Sequence, residues 1–325
     1  MSSVGKVPTT AAAAAASEPM SWGTSPPLYL SYGMVSLKGR RPALTDAVVA
    51  APSFTALSPP MGLDYFAVFD GHSGAAVADY LRARLGAAIA EQIDGELRSA
   101  TPRFSVLSHD VSAWWRTAIQ GAFRAVDEEV VGVGAAGDAA TVGATALVAL
   151  VLEQYVVLAN CGVSRAVISR GAEEMQLTSE HRPNRPDEKQ SMDTAGGGHV
   201  VESTCKVGNV LKTTRAFGSS QYRPEVTAEP EVAVVERTPR DDFLILASDG
   251  LWDAVSPAAA CAFVRRRLLK RSRITMPWEA PLDGRGSPTV VAKELAEHAV
   301  GMGSQDNVSV VLILFREFWA CQAKK

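Results

Sequence analysis

The sequence predicts a single large domain of mixed strands and helices in which the strands pair antiparallel. Three observations carry that reading. From Leu28 onward, apolar runs rich in Val, Ile, Leu and Phe alternate with segments of helical period. Two of the runs, 144–152 and 155–160, are separated by only two residues, as in a hairpin. No Pro-, Gly- or Ser-rich linker divides 28–316. The 325 residues suffice for one large domain or two ordinary ones, and 47% hydrophobic content supports a substantial core. The domain is placed at 26–317, after a low-complexity N-terminus over 1–25 that reads as disordered, and before a short tail at 318–325.

In chain order, the predicted strands are 65–69, 144–152, 155–160, 165–169, 243–247 and 309–315. Four helices are predicted. Val77, Leu81, Leu85 and Ile89 recur every four residues. Over 112–130, a Ser cap precedes Trp115, Ile119, Phe123 and Val126 on one stripe, so Trp114 and Trp115 read as core. The segment 257–270 has Pro in its first turn and basic residues at its end, as the helix dipole prefers. A fourth helix is predicted over 289–300. Two irregular insertions interrupt the pattern, at 180–206 and 272–288, and long loops of this kind are often functional.

Bulk properties narrow the function classes. The formal net charge of -3 gives no global pull toward nucleic acid or an anionic membrane. No apolar run approaches the ~18–20 residues that span a bilayer. Cys161, Cys205, Cys261 and Cys321 form no C-x-x-C pair, so they read as reduced thiols in a cytoplasmic or nuclear protein. The Ala-rich start contains no arginine in its first 20 residues, which favours a disordered tail over a transit peptide. The cluster Arg265, Arg266, Arg267, Lys270, Arg271 and Arg273 reads as a solvated helix end rather than a nuclear import signal.

The chemistry sits at three acidic positions. The run 65–69 ends in Asp70-Gly71-His72, which reads as a buried strand delivering a carboxylate to an edge, then a tight turn. Asp249-Gly250 follows the strand ending at 247, and Asp306-Asn307 precedes the last strand. A lone Asp-Gly is foremost a turn dipeptide. Three carboxylates carried by three strand-like segments are what a hard divalent cation cluster across a sheet would need.

Nine short segments then carry a family resemblance, in order: 39–46 (Gly39-Arg40-Arg41…Asp46), 66–74, 142–145, 159–166, 177–183, 195–197, 214–218, 243–253 and 303–311. Together they resemble the metal-dependent Ser/Thr protein phosphatases of the PP2C type, in a plant-like form, over about 30–316. The resemblance implies an α+β fold: a four-layer sandwich of two antiparallel sheets flanked by helix pairs, with a metal site at one edge. It implies two Mg²⁺ or Mn²⁺ ions, with Asp70 shared between them, the Gly71 carbonyl on one, and Asp249 and Asp306 on the other. An activated water bridging the ions would attack phosphorus in phosphoserine or phosphothreonine. Arg41 corresponds to the phosphate-binding arginine, whose planar fork suits two phosphate oxygens. His72 corresponds to the residue that protonates the leaving alkoxide. Asp46 would orient water, and Asp253 and Asn307 would support the ligands from behind. Phosphoprotein substrates and a monomeric chain are implied, without nucleic acid or membrane as partner.

The sequence departs from the family pattern at four places. Thr45 stands where the family has Glu, Val163 and Ser219 where it has Asp, and Ser73 where it has Gly. Three acidic groups are thereby lost around the cluster, which should weaken metal affinity. The expectation is a working phosphatase with raised metal demand, the alternative a silent phosphoprotein-binding module. Plant members that act as hormone co-receptors carry a Trp in the flap. That position falls near Glu202, and no Trp occurs between Trp115 and Trp252, so a co-receptor role is not expected.

Overall fold

The computed structural model describes residues 31–55, 63–99, 111–133, 140–196, 200–201, 206–208, 211–272 and 287–315. The expectations for the two termini, for Glu202, for Cys205 and Cys321, and for most of the insertion 272–288 lie outside these residues. The elements run β1 (Ser31–Leu37), β2 (Ala47–Ala51), β3 (Asp64–His72), α1 (Ala76–Ser99), α2 (Val111–Val133), β4 (Gly143–Val151), β5 (Tyr155–Cys161), β6 (Arg165–Arg170) and β7 (Glu173–Gln176). They continue with α3 (Pro186–Ala195), β8 (Val200–Val201), β9 (Lys206–Val207), β10 (Phe217–Gly218), β11 (Glu231–Glu236), β12 (Asp241–Ala247), α4 (Asp249–Trp252), α5 (Pro257–Ser272), α6 (Pro288–Gly301) and β13 (Val308–Leu314).

Two antiparallel sheets form the centre. One has the order β1-β13-β12-β6-β7, the other β11-β5-β4-β3-β2, with β10 added to β4. The predicted hairpin is present, with Val151 opposite Val156. Strand alternation explains why the central runs looked apolar throughout. On β3, Phe66 and Val68 point into the core between the sheets, with Leu147, Leu158, Leu244, Leu246, Val311 and Ile313. Tyr65, Ala67 and Phe69 point the other way, against Leu81, Leu85 and Ile89 of α1 and Ile119 and Phe123 of α2. The outer face of the other sheet packs in the same manner against α4, α5 and α6. Both faces of each sheet are therefore buried, and the polar half of the period-2 pattern disappears. The α+β four-layer arrangement expected from the resemblance is the observed one.

Several local expectations are corrected. The insertion 180–206 contains α3, started by Pro186, whose missing N–H costs nothing in a first turn. The second helix begins at Val111, so Ser112 lies inside it rather than capping it. β1, β2, β7 and β11 were not predicted; every residue of β7 is exposed, so no apolar signal marks it. Arg265 is not a solvated helix end: its guanidinium is hydrogen-bonded to Asp242 and Ser169. Trp115 is core as expected, and Trp114 packs beside it with ring centroids 4.8 Å apart.

The candidate metal-dependent phosphatase site

The first carboxylate is not placed as the dipeptide suggested. β3 does not stop at Asp70. Asp70, Gly71 and His72 continue the ladder opposite Thr145, Ala144 and Gly143. The turn comes afterwards, at Ser73 (φ 58°) and Gly74 (φ 143°). Gly71 is needed for space, because a Cβ there would stand 2.4 Å from the Thr45 carbonyl oxygen. Asp249 likewise opens a helical turn, α4, with Ser248 before it. Gly250 follows because the Asn307 carbonyl oxygen would lie 1.9 Å from any Cβ. Asp306 sits in the loop entering β13.

These elements converge on a cleft of about 310 Å³ at one edge of the sandwich. Arg41, Thr45, Asp70, Gly71, His72 and Asp306 are among its lining residues, as are Val163, Lys212 and Asp249. Asp46 lies just behind, buried, and accepts a hydrogen bond from Ser309 Oγ at 2.8 Å. Burial pushes the Asp46 carboxyl up to about 7 despite hydrogen bonds from Ser309 and Ser248, with Asp249 and Asp306 adding like-charge repulsion. Burial also raises Asp70 well above the carboxylate range, followed by repulsion from Asp46, Asp249 and Asp306. Among the described residues no hydrogen-bond donor reaches the Asp70 carboxylate. Asp249 is raised too, chiefly by burial, with Lys212 opposing.

Two side chains supply positive charge. Arg41 forks onto Asp306, Nε to Oδ1 at 2.8 Å and Nη2 to Oδ2 at 2.6 Å. Lys212 Nζ lies 3.1 Å from Asp249 Oδ2 and 3.3 Å from Asp253 Oδ2. Lys212 carries no sequence signal. Among the described residues no group of three or more His, Cys, Asp or Glu side chains is set to hold a metal ion. The donor chemistry nevertheless suits hard divalent cations: three carboxylates line one cleft with a fourth, Asp46, behind them, and half-buried Asp70 stands among like charges without a hydrogen-bond donor.

The remaining expected residues have defined positions. His72 Nε2 lies 2.7 Å from Ser219 Oγ. Burial lowers His72 to about 4, so its ring is neutral near pH 7. Gly143 makes this pairing possible, since a Cβ would meet Ser219 Oγ at 2.2 Å and His72 Nε2 at 2.4 Å. Asp253 ends α4 and faces Lys212 and Arg182 rather than Asp70. Asn307 fastens the loop that carries Arg41. Its Oδ1 accepts from the Thr45 amide (2.8 Å) and hydroxyl (3.0 Å), while its Nδ2 donates to the carbonyls of Lys38 (2.7 Å) and Ala43 (3.0 Å). Thr45, where the family has an acid, thus serves that loop. Val163 is buried and offers the cleft only an apolar wall.

Comparison with known proteins agrees with this geometry. The family model "Protein phosphatase 2C" matches residues 30–308. "Probable protein phosphatase 2C 8" of Oryza sativa subsp. japonica is 39% identical over 309 residues, covering 89% of this chain and 75% of the rice protein. "Protein phosphatase 2C 77" of Arabidopsis thaliana is 36% identical over 307 residues, covering 87% and 70%. Among solved structures, a serine-threonine phosphatase 2C from Toxoplasma gondii matches with TM-score 0.72 at 20% identity, over 88% of this chain and 95% of that one. That likeness concerns the fold. The segment 30–308, the shared sandwich and the acidic cleft at its edge assign this chain to the protein phosphatase 2C family of metal-dependent serine/threonine phosphatases.

Proposed function

We propose that the cleft hydrolyses phosphoserine and phosphothreonine in proteins with two Mg²⁺ or Mn²⁺ ions held by Asp70, the Gly71 carbonyl, Asp249 and Asp306. The observation that carries this reading is the convergence of Asp70, Asp249 and Asp306 on one cleft with Asp46 behind them, and with no hydrogen-bond donor among the described residues reaching Asp70. Bound divalent cations supply Lewis acidity and an acidified water nucleophile at neutral pH. Asp46, held by Ser309 and Ser248, orients that water from behind. Arg41 leaves Asp306 and presents its fork to two phosphate oxygens, an exchange of one bidentate acceptor for another. His72, whose ring is neutral near pH 7, lines the cleft as the candidate proton carrier to the leaving oxygen. Val163 contributes an apolar side chain to the cleft lining.

The test is hydrolysis of a phosphothreonine peptide across a Mn²⁺ titration, with Asp70→Asn as control. Activity that rises with Mn²⁺ and is lost in the variant supports the reading. No activity at millimolar Mn²⁺, or equal activity in Asp70→Asn, rejects it.

A further inference from the structure

The Asp249 side of the cleft already holds a cation that belongs to the chain. Lys212 Nζ lies 3.1 Å from Asp249 Oδ2 and 3.3 Å from Asp253 Oδ2, bridging the first and last positions of the turn that follows β12. The Asp249 carboxylate is almost fully buried, so this ammonium is its principal counter-charge. The backbone on either side of Lys212 is fixed. Leu211 exchanges two hydrogen bonds with Val207 and belongs to a small core with Met192, Tyr222 and Val226. Thr213 and Thr214 both hydrogen-bond the His181 carbonyl. The side chain itself is 41% exposed, so it can leave Asp249 for solvent by rotating about its own bonds while the main chain stays in place.

We propose that Lys212 is a tethered competitor for the divalent ion bound through Asp249, so that this ion is taken up only when the ammonium swings out of the cleft. The inference rests on the metal-dependent reading above. Its physical basis is that one carboxylate cannot serve an ammonium and a divalent cation at close range without repulsion between the two. An ammonium is also a weaker, more mobile partner than a guanidinium fork, which suits displacement. The site therefore demands more metal than its carboxylates alone would set. Asp253 strengthens the effect by giving the ammonium a second acceptor. Thr45, Val163 and Ser219 subtract negative charge from the cleft, whereas Lys212 adds positive charge, and both act in the same direction.

The test is Mn²⁺ binding to the full, chelator-treated chain, followed by calorimetry and by the electron paramagnetic resonance signal of free Mn²⁺. Wild type is compared with Lys212→Met, Lys212→Gln and Lys212→Arg. The expected result is binding about 10-fold tighter in the two neutral variants, binding weaker than wild type in Lys212→Arg, whose fork holds a carboxylate more firmly, and a larger Mn²⁺-induced rise in Tm for the neutral variants. The Met and Gln variants differ in polarity, so failure of one to fold leaves the other as the probe. Equal or weaker binding in the neutral variants, with Mn²⁺ still bound by wild type, overturns this inference and leaves the phosphatase reading standing. No binding in any of the four proteins overturns both.

Discussion

Asn307→Ala should unfasten the loop that carries Arg41. Asn307 is 2% exposed and spends all four of its amide bonding positions on residues 38–45. A net hydrogen bond contributes about 1 kcal/mol. Four bonds give a ceiling of about 4 kcal/mol, and water reaching the carbonyls of the exposed residues Lys38 and Ala43 once the amide is gone recovers part of it, leaving about 3 kcal/mol. Urea unfolding of the metal-free chain should show this loss as a lower midpoint at constant slope. Amide exchange should quicken at Thr45, whose N–H loses its acceptor. Asn307→Asp keeps the acceptor for Thr45 but aims a carboxylate oxygen at the Lys38 and Ala43 carbonyls, so it should lose at least as much as Asn307→Ala. In the phosphatase assay the same change should raise KM more than it lowers kcat, because the arginine is displaced from the phosphate rather than removed. A loss under about 1 kcal/mol with unchanged exchange at Thr45 would refute the reasoning.

Glu188→Gln should cost about 3 kcal/mol in the same unfolding assay, because the buried Glu188 carboxylate is the carboxylate partner of Arg215, which would keep only the Glu229 carbonyl, and also serves Thr214 and Arg185. An unchanged midpoint would contradict that. His72 gives a pH signature in the metal-free chain. Its folded pKa of about 4 lies below the unfolded value of 6.5, so the unfolded chain takes up the proton first and stability falls as pH drops through that window, by at most about 3 kcal/mol. His72→Gln should therefore flatten the pH 6.5-to-4 part of the stability profile relative to wild type, and parallel profiles would count against the assignment. Gly143→Ala should push His72 and Ser219 apart, since the new methyl occupies both their positions, and lower phosphatase activity at least 10-fold with the circular dichroism spectrum intact. Undiminished activity would mean that the His72–Ser219 pairing is dispensable.

Much of the architecture was legible because it rests on burial. Val77, Leu81, Leu85 and Ile89 mark α1, and all four are buried against β3 and β4. The 144–152 and 155–160 runs pair as a hairpin because only Glu153 and Gln154 separate them. What escaped notice lacks an apolar code. β7 is exposed along its length, and α3 is polar, opened by a Pro that also suits a loop. At the site, Asp70, Asp249 and Asp306 were recognisable as carboxylates ending or starting apolar runs. Their local geometry was not, because turn chemistry of the Asp-Gly pair competes with a requirement visible only in three dimensions. Gly71 is small for the sake of the Thr45 carbonyl, 26 residues earlier in the chain, and stays in the strand. Lys212 stands in Leu-Lys-Thr-Thr-Arg, a stretch with no charge pattern, and its meaning comes only from the proximity of Asp249 and Asp253.

Anomalous diffraction from crystals of the full chain grown with Mn²⁺ asks directly whether these carboxylates hold divalent ions. The account predicts a manganese peak against the Asp70 carboxylate and Gly71 carbonyl, a second bound through Asp249 and Asp306, and Lys212 and Arg41 both turned away from their present partners. Manganese-containing crystals without a peak at Asp70, or with Lys212 still on Asp249 beside a fully occupied second site, would contradict it.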